Sequence, residues 1–200
     1  AVAGELSAEI LQIQMEIGPS CGAITDFNLS TAGTPGSTDP ANDINDAIVY
    51  YTGTSSAFAL SDTFGTLGVS PNGAFTISGS QLPPAYSTVY FWLAYDINGG
   101  ATEANLLDAQ LESIDIAGAN YTGMTTPYPA GSRQINVPAI RYSVANGNWN
   151  TTASWSAVSG GAPGASVPVS GDIVYVEGGY DITVSGTQAC DTIILIGGVG

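Results

Sequence analysis

The chain has 200 residues, 44% of them hydrophobic, with a mean hydropathy of +0.20, which is enough apolar matter for the core of one large or two small domains. Seventeen acids face two bases, Arg133 and Arg141, with no lysine and no histidine, giving a formal net charge of −15 that excludes nucleic acid and anionic membrane surfaces as partners. The same inventory removes Ser-His-Asp and Cys-His machinery, His-built zinc sites and lysine Schiff bases, and leaves carboxylate chemistry or the binding of a hard cation.

Strand signals recur along the chain. Leu11, Ile13, Met15 and Ile17 alternate with Gln12, Gln14 and Glu16, the period of a half-buried strand. After the Gly18-Pro19 break, Ala23–Ser30 repeats the pattern through Phe27 and Leu29, and Ala47–Thr52 predicts a third strand. Short runs around Phe58 and Phe64 follow, then Ala74–Ser78, Thr88–Asp96 and Ala109–Ile116, each bounded by Gly, Pro, Asn or Ser. Glu103–Glu112 alone could pass for a helix. It lacks the length and a sustained helical period, and the phase shift between Leu111, Ser113 and Ile114, Ile116 predicts a loop leading into a bulged strand.

This density of short strands predicts an all-β fold: an antiparallel β-sandwich, Ig-like or jelly-roll in type, over residues 1–137. The proline-rich stretch Tyr121–Pro138 reads as a linker or a last strand before a second β unit over residues 138–200. Within 172–184 a Gly-Gly break separates two short strands, and Thr192–Ile196 makes another. Such spacing fits a small sandwich or the opening coils of a right-handed parallel β-helix, and the uncovered apolar end favours the β-helix. A longer polypeptide is expected to continue beyond Gly200, since each β-helical coil needs the next one for burial. Neither a signal peptide nor an apolar run of about 18 residues, the length of a membrane span, is legible.

Residues 90–96, YFWLAYD, form the densest aromatic cluster. Val89, Phe91, Leu93 and Tyr95 alternate with Tyr90, Trp92 and Ala94, so the strand is apolar on both faces, as expected of a central strand covered on both sides. An exposed sugar-stacking surface that includes Trp92 is the alternative.

Two loops concentrate oxygen ligands of the kind calcium takes. Asp39, Asp43 and Asp46 occupy one with Asn42 and Asn45; Asp96, Glu103, Asn105 and Asp108 flank the other together with Asn98. Neither has the EF-hand spacing, and Asx-rich turns arise equally from Asp and Asn satisfying their own backbone. Asp96 and Asp108 could in principle act as a glycosidase pair, but no feature of the sequence indicates a cleft. Trp149 and Trp155 could present two rings to a glycan or close the first coil of a β-helix. Cys21 and Cys190 match no metal spacing and stand as buried thiols or as a disulfide between the two halves. No cation or base lies nearby to activate either one. The triplets at Asn28, Asn120 and Asn150 would matter only in a cell with N-glycosylation.

Several blocks occur in order: Asp46-Ala-Ile-Val-Tyr-Tyr-Thr-Gly53, Phe64-Gly65, Phe75-Thr-Ile-Ser-Gly79, Tyr90-Phe-Trp-Leu-Ala-Tyr-Asp96 and Leu107-Asp-Ala109. Over residues 5–137 they resemble the N-terminal β-sandwich module associated with BNR-repeat neuraminidases and with large secreted bacterial surface proteins. Gly147-Asn-Trp149, Ala153-Ser-Trp155, Val167-Pro168, Gly171-Asp172 and Ala189-Cys190 resemble a second unit of such proteins, the entry to a β-helix. The resemblance implies a module without catalysis of its own, outside the cell or on a bacterial surface. Its partners would be neighbouring domains of the same long chain; the unprotected strand Thr192–Ile196 adds self-association, and Trp92, Trp149 or Trp155 a glycan, as further readings. The chain lacks the Ser-x-Asp-x-Gly-x-x-Trp repeats and the arginine triad of the catalytic propeller, so no sialidase residue is carried over.

Overall fold

The computed structural model describes residues 1–124 and 131–197. Part of the predicted linker, residues 125–130, and the last three positions lie outside the described residues. The chain divides into two compact units, Ala3–Ile135 and the residues from Asn136 onward.

The first unit is an antiparallel β-sandwich. Its strands are β1 (Ala8–Glu16), β2 (Ile24–Ser30), β3 (Ile44–Gly53), β4 (Thr63–Thr66), β5 (Ala74–Gln81), β6 (Thr88–Ile97), β7 (Leu106–Leu107), β8 (Gln110–Ile116), β9 (Ala119–Tyr121) and β10 (Arg133–Gln134). A single helical turn, α1 (Pro40–Asp43), precedes β3. One sheet has the order β1-β6-β3-β4 and the other β5-β2-β8-β9, with β7 and β10 forming a separate short pair. The aromatic strand β6 is central, paired to β1 on one side and β3 on the other.

Alternation decides what fills the core. Val89, Phe91, Leu93 and Tyr95 point inward with Phe27, Leu29 and Ile77 of the facing sheet, and all are buried. Phe91 is the hub: its ring lies 4.9 Å from Phe27, 4.8 Å from Tyr51 and 5.7 Å from Phe64, the last edge-on at 89°. Each such ring contributes about 2–3 kcal/mol by leaving water, and tilted or edge-on contacts suit their quadrupoles.

The predicted bulge is present in β8. Asn28 pairs with Ser113 and the next residue, Leu29, with Leu111, so Glu112 is the extra residue. The insertion keeps Leu111 and Ile114 on the buried face. Phe58 departs from expectation: it lies in the β3–β4 loop, outside any strand. Its neighbours are small or polar and offer no alternating face, and the loop folds back so that Phe58 packs on the sheet's outer surface.

Along one flank of the sandwich β4 meets β5 backbone to backbone. A Cβ at Gly65 would strike the Ser78 carbonyl oxygen, and one at Gly79 the Phe64 carbonyl oxygen. Elsewhere in this unit the chain's first residue meets a late one: the Ala1 nitrogen donates to the Gln134 carbonyl at 3.1 Å. Beside them Arg133 Nη1 donates to the Glu9 carbonyl at 2.7 Å.

The second unit contains β11 (Ile140–Ser143), β12 (Gly147–Asn148), β13 (Trp155–Ser156), β14 (Ile173–Val176), β15 (Ile182–Thr183) and β16 (Thr192–Leu195). Strands β11, β14 and β16 stack in parallel, as do β12 and β15, while β13 joins β11 antiparallel. A small antiparallel sandwich would pair these strands the other way. Trp149, Trp155 and Val174 are its buried centre, with Val167, Val176, Ile182 and Cys190 packed around them.

Candidate functional site

The acids that the sequence groups by loop are regrouped by the fold. Asp43, fully buried at the end of α1, accepts the Thr102 backbone N–H at 2.8 Å through Oδ1 and the Asn105 side-chain amide at 2.7 Å through Oδ2. One residue of each proposed calcium loop thus meets the other, and both carboxylate oxygens are already occupied by N–H donors. Asp39 accepts from the Asn42 amide of its own turn. Asp46 accepts from Ala47 N, Gly68 N and the Thr66 hydroxyl, each at 2.7 Å.

The second loop does not converge. Asp96 and Asp46 are register partners on the outer face, where Asp96 Oδ1 accepts the Ser7 backbone N–H at 2.7 Å. Asp108 belongs to the other side of β6: it is buried, and accepts Gly36 N at 2.9 Å and Ala109 N at 2.8 Å. Glu103 is exposed. Among the described residues no three acids or thiols cluster as a metal site. An ion at Asp43, Asp46 or Asp108 would have to displace backbone donors that each carboxylate already satisfies.

Asp108 also organises its surroundings through the main chain. Its carbonyl accepts the Ser37 hydroxyl at 2.9 Å and the buried Tyr95 hydroxyl at 3.2 Å. Burial, reinforced by the Asp108 charge, pushes the Tyr95 phenol far above its ordinary value. In the second unit Asp172, fully buried, repeats the pattern by accepting Ala139 N at 2.8 Å and Val169 N at 3.1 Å.

The three tryptophans are interior. Trp149 and Trp155 are 2% and 0% exposed and pack edge to face at 5.3 Å, so they present no pair of rings to a glycan. Trp155 Nε1 donates to the Trp149 carbonyl at 2.7 Å, while the buried Trp149 Nε1 has no partner among the described residues. Trp92 is 6% exposed because Phe58 covers it at 5.6 Å, and its indole N–H is turned to the Thr52 hydroxyl at 3.2 Å. The stacking surface proposed for Trp92 is therefore closed by the chain's own loop.

Cys21 and Cys190 are free thiols, one in each unit, and the disulfide alternative is not realised. Burial first, then the charges of Asp191 and Asp172, raise the Cys190 pKa, the opposite of what a nucleophile needs. Arg133 is held by the Glu9 carbonyl and lies 4.0 Å from Glu5, and Arg141 donates to the Ser166 carbonyl at 3.0 Å.

Sequence reasoning missed the cover over Trp92, because a lone Phe58 in a polar loop carries no periodic signal. It also missed the outer-face row that continues from Trp92 to Tyr90. That row was legible in principle, since Gln12, Gln14 and Glu16 must share a face with Tyr90 and Trp92 once β1 pairs with β6.

No family model matches the chain, and no curated protein matches it. The solved structure of Hadza microbial sialidase Hz136 is similar over 72% of this chain and 30% of its own, at 14% identity and a TM-score of 0.48. The chain thus spans under a third of that protein's length.

Proposed function

We propose that the chain is a non-catalytic structural and interaction module of a larger secreted bacterial surface protein, of the adhesin or filament kind. One observation carries this reading: the buried carboxylates Asp43, Asp108 and Asp172 are each spent on backbone or amide N–H groups that tie loops together. They act as pins of the scaffold. A catalytic acid or base needs a free oxygen facing a cleft.

The parallel rungs of the second unit support its continuation as a β-helix, and the resemblance of the chain's sequence blocks to surface-protein modules supports an extracellular setting. Neighbouring domains of the same polypeptide, or further copies, would then be its partners. The high negative charge keeps crowded copies apart and soluble.

The test has two arms. Electron microscopy and surface labelling of the native, full-length protein should find it displayed outside the cell. Fluorogenic glycosides, sialosides included, should survive incubation with the purified chain. Turnover that disappears in Asp96→Asn or Asp108→Asn would overturn the non-catalytic reading.

A further inference from the structure

We propose that the outer face of the β1-β6-β3-β4 sheet, centred on Tyr90, binds a neutral oligosaccharide. This goes beyond the structural role above and does not depend on it.

The face is built row by row across three strands. Gln12, Trp92 and Tyr50 form one row, and Gln14, Tyr90 and Gly53 the next. Phe58 fills the first, lying 6.1 Å from Tyr50 and 5.6 Å from Trp92. The second row is left open, because Gly53 has no side chain and no atom lies within 4 Å of where its Cβ would stand. Tyr90 is consequently partly exposed while its neighbours Trp92 and Tyr50 are buried. The wall beside it is anchored: the Thr52 hydroxyl donates to the Ser55 carbonyl at 2.7 Å and accepts the Trp92 indole N–H.

The result is a half-exposed Tyr90 next to the loop that carries Phe58, flanked on β1 by the exposed side chains of Gln12, Gln14 and Glu16. Gln12 spends one N–H on the Ser56 carbonyl at 3.1 Å. Among the described residues the Gln14 amide and the Tyr90 hydroxyl have no protein partner, so donors and acceptors face water beside the ring. A sugar has an apolar C–H face that can lie on an aromatic ring, and a rim of hydroxyls that matches a primary amide, which both donates and accepts.

Charge selects among sugars. Within this unit the arginine, Arg133, is engaged by the Glu9 carbonyl and lies 4.0 Å from Glu5. With Glu16 at the rim and a net charge of −15, a sialylated or uronic-acid glycan would be repelled, and a neutral chain would not.

The test is titration calorimetry of the purified chain with neutral oligosaccharides (xylohexaose, cellohexaose, mannohexaose, N-acetyllactosamine) and with sialyllactose as the anionic arm. At least one neutral sugar should bind, and Tyr90→Ala and Gln14→Ala should each weaken it about tenfold or more, equivalent to about 1.4 kcal/mol. Tyr90→Phe should retain most of the affinity, and Thr76→Ala, on the exposed face of the other sheet, should leave it unchanged. Circular dichroism identical to the parent confirms that the variants fold. The proposal fails if no neutral sugar binds at millimolar concentration, if Tyr90→Ala binds as the parent does, or if sialyllactose binds more tightly than every neutral sugar.

Discussion

Asp43 Oδ2 accepts the Asn105 side-chain amide at 2.7 Å across 62 positions of sequence. The bond joins the segment before β3 to the loop after β6, and the fully buried carboxylate has no cation partner among the described residues. Its two oxygens are held by N–H donors, one of them the Thr102 backbone.

Asp43→Ala would leave two part-buried donors, the Thr102 N–H and the Asn105 amide, without their acceptor. A loss of about 2–4 kcal/mol is expected, since bonds to a charged group and stranded donors each count for a few kcal/mol. Urea unfolding measures it. Asp43→Asn, which keeps the volume and one acceptor oxygen, should lose less.

Tyr95 predicts an alkaline limit. Its phenol holds its proton more tightly in the folded state than at the unfolded value of about 10. Below that pH both states are protonated and the contribution is fully present. Above it the unfolded state ionises first, and stability falls by about 1.4 kcal/mol per pH unit. With no lysine in the chain, no ammonium side chain titrates alongside. Tyr95→Phe should flatten this decline in a series of unfolding curves, at a cost near neutrality of about 0.5–1.5 kcal/mol for the lost bond to the Asp108 carbonyl.

Phe58→Ala tests the cover over the sheet. Removing the ring exposes Trp92, so one of the three tryptophans should become accessible to acrylamide and the emission should shift to the red. The expected loss of stability is about 1–3 kcal/mol, the worth of the ring's apolar burial.

Gly79→Ala tests the closed flank. The new Cβ would collide with the Phe64 carbonyl oxygen, which is backbone and cannot turn away. Separating β4 from β5 to admit it should cost about 1–3 kcal/mol, visible as a lowered urea midpoint with an unchanged slope.

Much of this architecture was legible because a half-buried strand advertises itself residue by residue. The alternation of Leu11, Ile13 and Met15 with glutamines placed β1, and the phase slip around Glu112 announced the bulge in β8. What periodicity cannot carry is which loops meet. Asp39, Asp43 and Asp46 lie together in sequence, yet each serves a different neighbour, because α1 and the strand register turn them apart. Trp149 and Trp155 sit in a polar context that suggests exposure, while their burial depends on Val167, Val176 and Ile182 arriving from farther along the chain. The Tyr90 row escaped for the converse reason: a residue in a strongly apolar run looks like core until the partner without a side chain, Gly53, is known.

The hydrogen bond between Ala1 and Gln134 bears on mechanics. Ala1 and Gln134 are thus one contact apart, and the chain between them closes on itself. Tension applied between these two positions would load that short base before it reached the sheets. The faces of the sandwich would feel that load only after this contact had parted.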